Sequence, residues 1–562
     1  MTRPSLGEAL LSQGALSADQ LRIATAEQRR RSAPLGRVLV QLGFVSESDL
    51  CEAQSQSLGQ QVIDLDPERI DAAAIALVPA ALARRFCLVP VSLDRAASTL
   101  SIATTDPGNV VALDQVRSAV GGATRVEPLL AREADIAACL ARHYGAEWPI
   151  DDLLAAMAAS DEAPQPGARQ QEEAPPVIRL VEALLADAAR AAASDVHFEP
   201  QQGCLRVRYR VDGVLRTART LDRSSWPAML VRLKVMGGMN IAETRAPQDG
   251  RMSMALGGRQ IDFRLASHPT THGEALVLRL LDRERGIVAL PGLGLAHDIQ
   301  RLVERMLARP EGLLLVTGPT GSGKTTTLYS LVSQVCGEGV NVMTLEDPVE
   351  YPLPAVRQTS VNEAVKLDFA SGVRSMLRQD PDVMLVGEIR DASTAEMALR
   401  AAMTGHQVFS TLHAPSASGA FPRLRDLGVS GSLLAGNLIG VLAQRLVRRL
   451  CPSCKSPAEP SMAERQTLSL PDEATCVIHA PRGCPRCGGI GYRGRMAIVE
   501  MLRVDADLET LIGAEAPPRA IQDAAARQGF RSLRQDAVRR VLEGDTSLAE
   551  ITRVLGLADI PA

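Results

Sequence analysis

The clearest chemistry in this chain lies in nine consecutive residues: Gly318, Pro319, Thr320, Gly321, Ser322, Gly323, Lys324, Thr325 and Thr326. They satisfy G-x-x-x-x-G-K-[ST] between an apolar run, Leu313–Val316, and a helix-compatible stretch from Thr326 to Leu331. That strand–loop–helix setting is what the motif requires. Glycines let backbone N–H groups close around phosphate oxygens, and a helix start adds a favourable dipole. Lys324 is placed to reach the β- and γ-phosphates, and the Thr325 hydroxyl to ligate Mg²⁺. The loop therefore predicts a nucleoside triphosphate site.

Two more strand-like runs end in acids. Val340–Leu345 leads into Glu346-Asp347-Pro348, and Val383–Val386 leads into Gly387-Glu388-Ile389-Arg390-Asp391. In an open parallel sheet, ligands sit beyond the carboxyl ends of the strands, so both acidic ends belong near the loop. A hydrolysing site needs a carboxylate near Mg²⁺ and one that orients or deprotonates water. Glu346 and Glu388 are the two candidates, and the sequence leaves their roles unassigned. Asp347 and Asp391 also suit helix N-caps. A third segment, Thr404–His413, is a strand-like run flanked by His406 and His413. His406 is the candidate of the two. On the rim of an ATP site it would sense the γ-phosphate or couple it to a neighbouring subunit.

Ten cysteines divide into two kinds. Cys51, Cys87, Cys139, Cys204, Cys336 and Cys476 are scattered singly, which fits a reduced compartment. Cys451, Cys454, Cys484 and Cys487 form two C-x-x-C pairs separated by 29 residues. Two such knuckles close a tetrahedral S₄ site, and soft thiolates favour zinc. Redox thiols are the alternative. Four protein ligands leave no position for water, so a zinc here is structural.

The elements that must hold these groups come from a chain of 562 residues, 46% hydrophobic and 22% charged, as in globular proteins. A net charge of −4 gives no strong pull toward nucleic acid. No apolar run approaches the roughly 18 residues a bilayer span needs. The first residues lack a basic start followed by an apolar core. The expected location is cytoplasmic.

The chain reads as several segments. Residues 1–60 carry a repeat: Leu6-Gly7, Leu10, Gly14, Ser17, Leu21 and Ala24 recur 29 residues later as Leu35-Gly36, Leu39, Gly43, Ser46, Leu50 and Ala53. Each copy reads as two helices around a glycine turn, capped by Ser17 or Ser46. Residues 61–145 alternate strand-like and helical runs and form a small α/β subdomain. Residues 146–176 hold prolines, alanines and acids against a single Arg169 and read as a linker, with a short helix at Asp151–Leu154. Residues 177–288 restart with a helical run and then alternate like half-buried strands, with Gly-Gly turns at 237–238 and 257–258. The nucleotide core covers 289–450, the cysteine insertion 451–500, and a helical region 501–562. In that last region Ile521, Ala524, Ala525, Phe530, Leu533, Ala537, Val541 and Leu542 make one apolar stripe.

GPTGSGKTTTLY, MTLEDPVEY, RQDPDVMLVGEIRD and TGHQVFSTLHA resemble the Walker A motif, Asp box, Walker B motif and His box of the secretion traffic ATPases, which drive type II secretion and type IV pilus assembly. The order and spacing match across Val177–Leu555, and the Walker B strand ends in Gly387-Glu388, as in that family. The resemblance implies an α/β fold: a RecA-like P-loop ATPase domain, a PAS-like α/β second domain, a zinc-binding insertion and a mainly helical plus small α/β N-terminal region. It implies ATP, Mg²⁺ and Zn²⁺, and a homohexamer. The implied partners are an inner-membrane platform protein and a docking protein's cytoplasmic domain, which would hold the chain peripherally at the inner membrane.

Ala193–Glu199, Arg210-Val211-Asp212-Gly213 and Pro247–Arg251 resemble the family's second N-terminal domain. Such domains supply arginines that stabilise charge on the transferring phosphoryl group. Arg264 and Arg279 are the candidates and Arg210 is a weaker one, with ordinary salt bridges as the alternative. The tetracysteine insertion resembles that of type II secretion and pilus-extension ATPases, and retraction motors generally lack it. The amino-terminal repeat is similar to a cyclic di-GMP module with two motifs at the same spacing. It departs at Ser5 and Pro34, before each Leu-Gly, and at Ser57, opposite Gln28. Arg37 or Arg3 could read the purine edge. Docking to an inner-membrane partner is the competing role. The resulting expectation is a hexameric cytoplasmic ATPase that drives pseudopilus assembly for type II secretion, with a type IV pilus extension ATPase as the alternative. A RecA-like nucleic-acid motor is disfavoured by the acidic balance and the lack of an aromatic-rich basic groove.

Overall fold

A computed structural model describes residues 6–556, apart from 32–34, 46–48, 51, 54, 56–61, 67–69, 95–96, 122–123, 145–149, 152, 155–174, 257–258, 283–285 and 472–475. Most of the linker therefore lies outside the described residues. So do Arg3, Ser5, Pro34, Ser46, Ser57, the Arg37 side chain and the turn at 257–258. The chain forms two compact units. One runs up to Asp282 except for Asp212–Val214, and the other takes Asp212–Val214 and the described residues beyond Asp282.

The first unit begins with the helices Leu6–Ser12, Ala18–Arg31 and Leu35–Gln41. Ser17 and Gln20 cap the second helix reciprocally, at 3.2 and 2.8 Å. The repeat has a packing reason. A Cβ on Gly7 would lie 2.9 Å from Leu21 Cδ1, and one on Gly36 would lie 3.1 Å from Leu50 Cδ1. The same close helix approach is thus built twice, around a core of Leu10, Ala24, Val38, Leu39 and Ala53.

Strands β1 (Leu88–Asp94), β2 (Thr99–Thr104) and β3 (Arg125–Leu130) follow as a small sheet, β1–β2 antiparallel and β2–β3 parallel. Ile150, Asp151, Leu153 and Leu154 are helical, and Ile150 and Leu153 are buried in the core of the next sheet. That sheet has six strands: β4 (Ala193–Pro200), β5 (Cys204–Val211), β6 (Val214–Asp222), β7 (Gln248–Leu256), β8 (Arg259–Thr270) and β9 (Gly273–Asp282), in the order β6-β5-β4-β9-β8-β7. Alternation along β5 buries Leu205, Val207 and Tyr209. The helices Pro176–Arg190 and Trp226–Met236 pack on that apolar face through Leu184, Met229 and Leu233.

The second unit holds a seven-stranded sheet: β10 (Gly312–Thr317), β11 (Val342–Glu346), β12 (Arg357–Ser360), β13 (Val383–Val386), β14 (Gln407–Leu412), β15 (Leu438–Leu450) and β18 (Tyr492–Arg503). Its order is β12-β11-β13-β14-β10-β15-β18, parallel throughout except for the last pair. Strands β10, β11, β13 and β14 are buried on both faces, which explains the apolar runs Leu313–Val316 and Val383–Val386. Leu313 and Leu315 feed one core, and Leu314 and Val316 the other. Between β15 and β18 lies a two-stranded ribbon of β16 (Lys455–Ala458) and β17 (Ile478–Pro481). The C-terminal apolar stripe is divided between two helices, Pro518–Arg527 and Leu533–Leu542, because the chain turns through Gly529 at φ 83°.

Candidate functional site

The P-loop leaves the carboxyl end of β10 and enters the helix Lys324–Val335. Gly321 and Gly323 have φ of 78° and 88°, a left-handed backbone that favours glycine. A Cβ on Gly318 would lie 2.6 Å from Ser322 Oγ and from Gln444 O, so the loop can close only around glycine here. Ser322 Oγ is buried without a hydrogen-bond partner. The tight, donor-rich cradle and this spare hydroxyl fit a phosphate group. Lys324 donates its ammonium to Gly318 O at 2.9 Å and to Pro319 O at 3.2 Å. Burial lowers its pKa, nearby Glu388 opposes that shift, and Arg445 adds to it. The Thr325 hydroxyl is on an exposed residue at the helix start, where a Mg²⁺ ligand is needed.

Both acidic strand ends lie at the same edge of the sheet as the P-loop. Glu346 closes β11 and is 4% exposed. Its carboxylate accepts from Thr344 Oγ1 at 2.6 Å, Gln358 Nε2 at 3.2 Å and Tyr329 OH at 2.5 Å. Burial, and then this bond to Glu346, push the Tyr329 phenol well above its ordinary pKa. Glu388 follows β13 and is less enclosed. It pairs with Arg390, and with His413 Nε2 at 3.3 Å. Arg390 also reaches Asp347 at 3.2 Å, and the bond to Glu388 raises its pKa. Asp391 caps the helix Ala392–Met403 by accepting from Thr394 N at 2.8 Å.

The expectation that His406 lies on the rim of this site is corrected. His406 precedes β14, and its carbonyl accepts from Gly312 N at 3.1 Å, at the amino end of β10. The six residues of β14 place it roughly 20 Å from the carboxyl edge. Its Nδ1 lies 2.9 Å from Ala401 O and 3.1 Å from Thr404 Oγ1, so it closes a helix end. His413, at the other end of β14, is the histidine beside Glu388. The carboxyl-edge rule that selected both glutamates also picks out His413.

Arg264 and Arg279 stand on the first unit's sheet. Register across the strands aligns Arg210, Asp195, Arg279, Arg264 and Arg251 in one row. Asp195 accepts from Arg279 Nε at 3.2 Å and pairs with Arg210 Nε at 3.4 Å.

The four cysteines converge. Their sulfurs all lie within 4.8 Å of one another. Cys451 and Cys484 are 3.9 Å apart, Cys454 and Cys487 3.8 Å, and Cys484 and Cys487 3.7 Å. Zn–S bonds of about 2.3 Å at tetrahedral angles give sulfur–sulfur distances of about 3.8 Å, so the set fits zinc. Burial opposes ionisation of Cys487, but the N–H groups of Cys484 and Gly491, each 3.2 Å from its sulfur, outweigh it and lower the thiol's pKa. The cluster sits where β15 ends and β18 begins.

A mostly parallel sheet with a P-loop and carboxylates at one edge defines a P-loop ATPase. The comparisons narrow the class. The sequence model described as "Type II/IV secretion system protein" matches residues 170–553, and an MshEN domain model matches 58–148. The chain belongs to the type II/IV secretion system protein family, whose members are traffic ATPases, and it is an ATP hydrolase. It is 37% identical over 558 residues to the type IV pilus assembly ATPase PilB of Myxococcus xanthus, covering 97% of this chain and 98% of the relative. It is 46% identical over 385 residues to type II secretion system protein E of Pseudomonas aeruginosa, covering 68% and 76%. The fold also matches the Legionella pneumophila ATPase DotB with a TM-score of 0.50 at 21% identity, over 68% of this chain and 97% of that one. Among the described residues no helix is long and apolar enough to cross a membrane.

Proposed function

We propose that this secretion or pilus ATPase is an assembly motor, whose ATP hydrolysis drives build-up of a pseudopilus for type II secretion. The observation that carries the assembly direction is the four-sulfur cluster, because the resemblance assigns a tetracysteine insertion to assembly and export motors. The 46% identity to type II secretion system protein E supports the secretion client. Pilus extension is the second reading, favoured by the end-to-end match to PilB, which covers 98% of that relative.

In this reading the loop Gly318–Thr326 cradles the phosphates and Lys324 leaves its carbonyls for the β- and γ-oxygens. Thr325 would hold Mg²⁺, which neutralises charge on those oxygens when bound. Glu388 is the better candidate to orient water, because Glu346 already accepts three hydrogen bonds. Arg264 and Arg279 would stabilise the γ-phosphoryl group of a neighbouring copy in a homohexamer. The chain would work in the cytoplasm, held at the inner membrane by a platform protein and a docking partner. The paired amino-terminal helices would bind cyclic di-GMP or that docking partner, and their twice-built glycine contact supports one module of two equal halves.

The test is a Lys324→Ala allele in the native bacterium, with released proteins and surface pili assayed together. Lost exoproteins with intact pili support the secretion reading. Lost pili with normal secretion support the second, and no effect on either contradicts both.

A further inference from the structure

We infer that Gln444, on β15, is a positioning residue that sets the phosphate-binding form of the P-loop. The inference rests on the nucleotide reading of Gly318–Thr326. β15 runs parallel to β10, with Val316 opposite Leu442 and Thr317 opposite Ala443. This register brings Gln444 directly under the loop. Gln444 is 1% exposed and directly follows the buried apolar segment Leu438–Ala443 of its strand. A buried primary amide in such a strand is costly unless its donors and acceptor are met.

They are met by the P-loop itself. Gln444 Nε2 donates to Ser322 O at 2.7 Å, and Gln444 Oε1 accepts from Thr327 Oγ1 at 2.9 Å. The Ser322 carbonyl fixes which end of the amide faces the loop, since only the NH₂ end can donate to it, and the Thr327 hydroxyl then donates to the amide oxygen. The peptide joining Ser322 to Gly323 is planar and trans, so its N–H points opposite to its C=O. Holding Ser322 O down on Gln444 therefore turns the Gly323 N–H away from the sheet and toward the phosphate side. The backbone of Gln444 also supports the loop, because a Cβ on Gly318 would lie 2.6 Å from Gln444 O. The next residue, Arg445, donates to Pro415 O at 2.6 Å, just past His413. One strand segment thus touches both the P-loop and the chain that leaves β14. The Walker motif itself carries no sign of this residue, which lies 118 positions beyond Thr326.

The test uses the full-length, zinc-loaded chain and three variants. Gln444→Glu keeps the size and can still accept from Thr327, but its carboxylate faces the Ser322 carbonyl. Gln444→Leu removes both bonds. Thr327→Val keeps the helix and removes the bond to the amide oxygen, leaving Gln444 held by the Ser322 carbonyl alone. ATP affinity is read with a fluorescent ATP analogue, alongside KM, kcat and melting temperature with and without nucleotide. The expected result is at least a tenfold loss of nucleotide affinity and a matching rise in KM for both Gln444 variants, with a smaller loss for Thr327→Val. The stabilisation by ATP should shrink by more than the melting temperature of the nucleotide-free chain. Native affinity in Gln444→Glu overturns the inference, as does a lower nucleotide-free melting temperature with unchanged KM. If the Gln444 variants do not fold, native affinity in Thr327→Val overturns it. Failure of the native chain itself to bind the analogue would instead contradict the nucleotide reading of the loop.

Discussion

Glu388 meets Arg390 and His413 directly and lies in the field of Lys324. Glu346, in contrast, is buried among three donors. The two carboxylates that the sequence leaves equivalent are therefore distinguished by their surroundings. Glu388→Gln should lower kcat by roughly a hundredfold or more while ATP still binds, measured as turnover beside binding of a fluorescent analogue. A variant that turns over normally would return the role to Glu346. His413→Ala should reduce kcat. His406→Ala should leave kcat within about twofold and cost about 1 kcal/mol of stability by unsealing a helix end, read by urea unfolding. The P-loop was legible because its chemistry dictates the residue types within nine positions. The sequence points to His406 in place of His413, since two histidines flanking one strand look alike until the strand's direction relative to β10 is applied. Gln444 was invisible because a lone glutamine in an apolar run carries no local signal.

The cysteine cluster and the C-terminal helices belong to the scale of elements. The four cysteines join the ends of β15 and β18, so zinc removal should loosen that end of the sheet. Cys451→Ser, or treatment with a chelator, should lower the melting temperature and open 451–491 to trypsin, and metal analysis should find one zinc per native chain. Next to this end, Glu550 on the helix Leu548–Leu555 accepts from Arg448 at 2.6 Å and Arg553 at 2.6 Å. Burial alone would raise its pKa, but these hydrogen bonds outweigh it and hold the carboxyl at about 2, against 4.5 for an ordinary glutamate. The folded value is the lower one, so the stabilisation is complete above about pH 4.5 and is lost as the pH falls toward 2. Glu550→Gln should cost about 3 kcal/mol at pH 7 and flatten that part of the acid limb in urea titrations. Strands Val383–Val386 and Cys204–Val211 were legible residue for residue, because burial on two faces and on one face write different patterns. The C-terminal stripe was read as continuous because apolar spacing alone does not reveal where the chain reverses, although Gly529 marked the place.

At the scale of the whole chain, the repeat, the sheets and the cysteine cluster are separate physical solutions along one sequence. The resemblance gave the family, which the matched residues 170–553 establish. No single-chain pattern gives the ring. If Arg264 and Arg279 act on a neighbour's nucleotide, subunits carrying Arg279→Ala and subunits carrying Lys324→Ala should each be inactive but regain activity when mixed. Mixed rings with no recovery would leave Arg279 as a partner of Asp195 alone. The most direct test of the central claim is steady-state ATP turnover by the purified, zinc-loaded chain beside Lys324→Ala and Glu388→Gln. The account predicts turnover in the native chain, nucleotide bound but not hydrolysed by Glu388→Gln, and neither binding nor turnover in Lys324→Ala. Native turnover by a folded Lys324→Ala variant would contradict it.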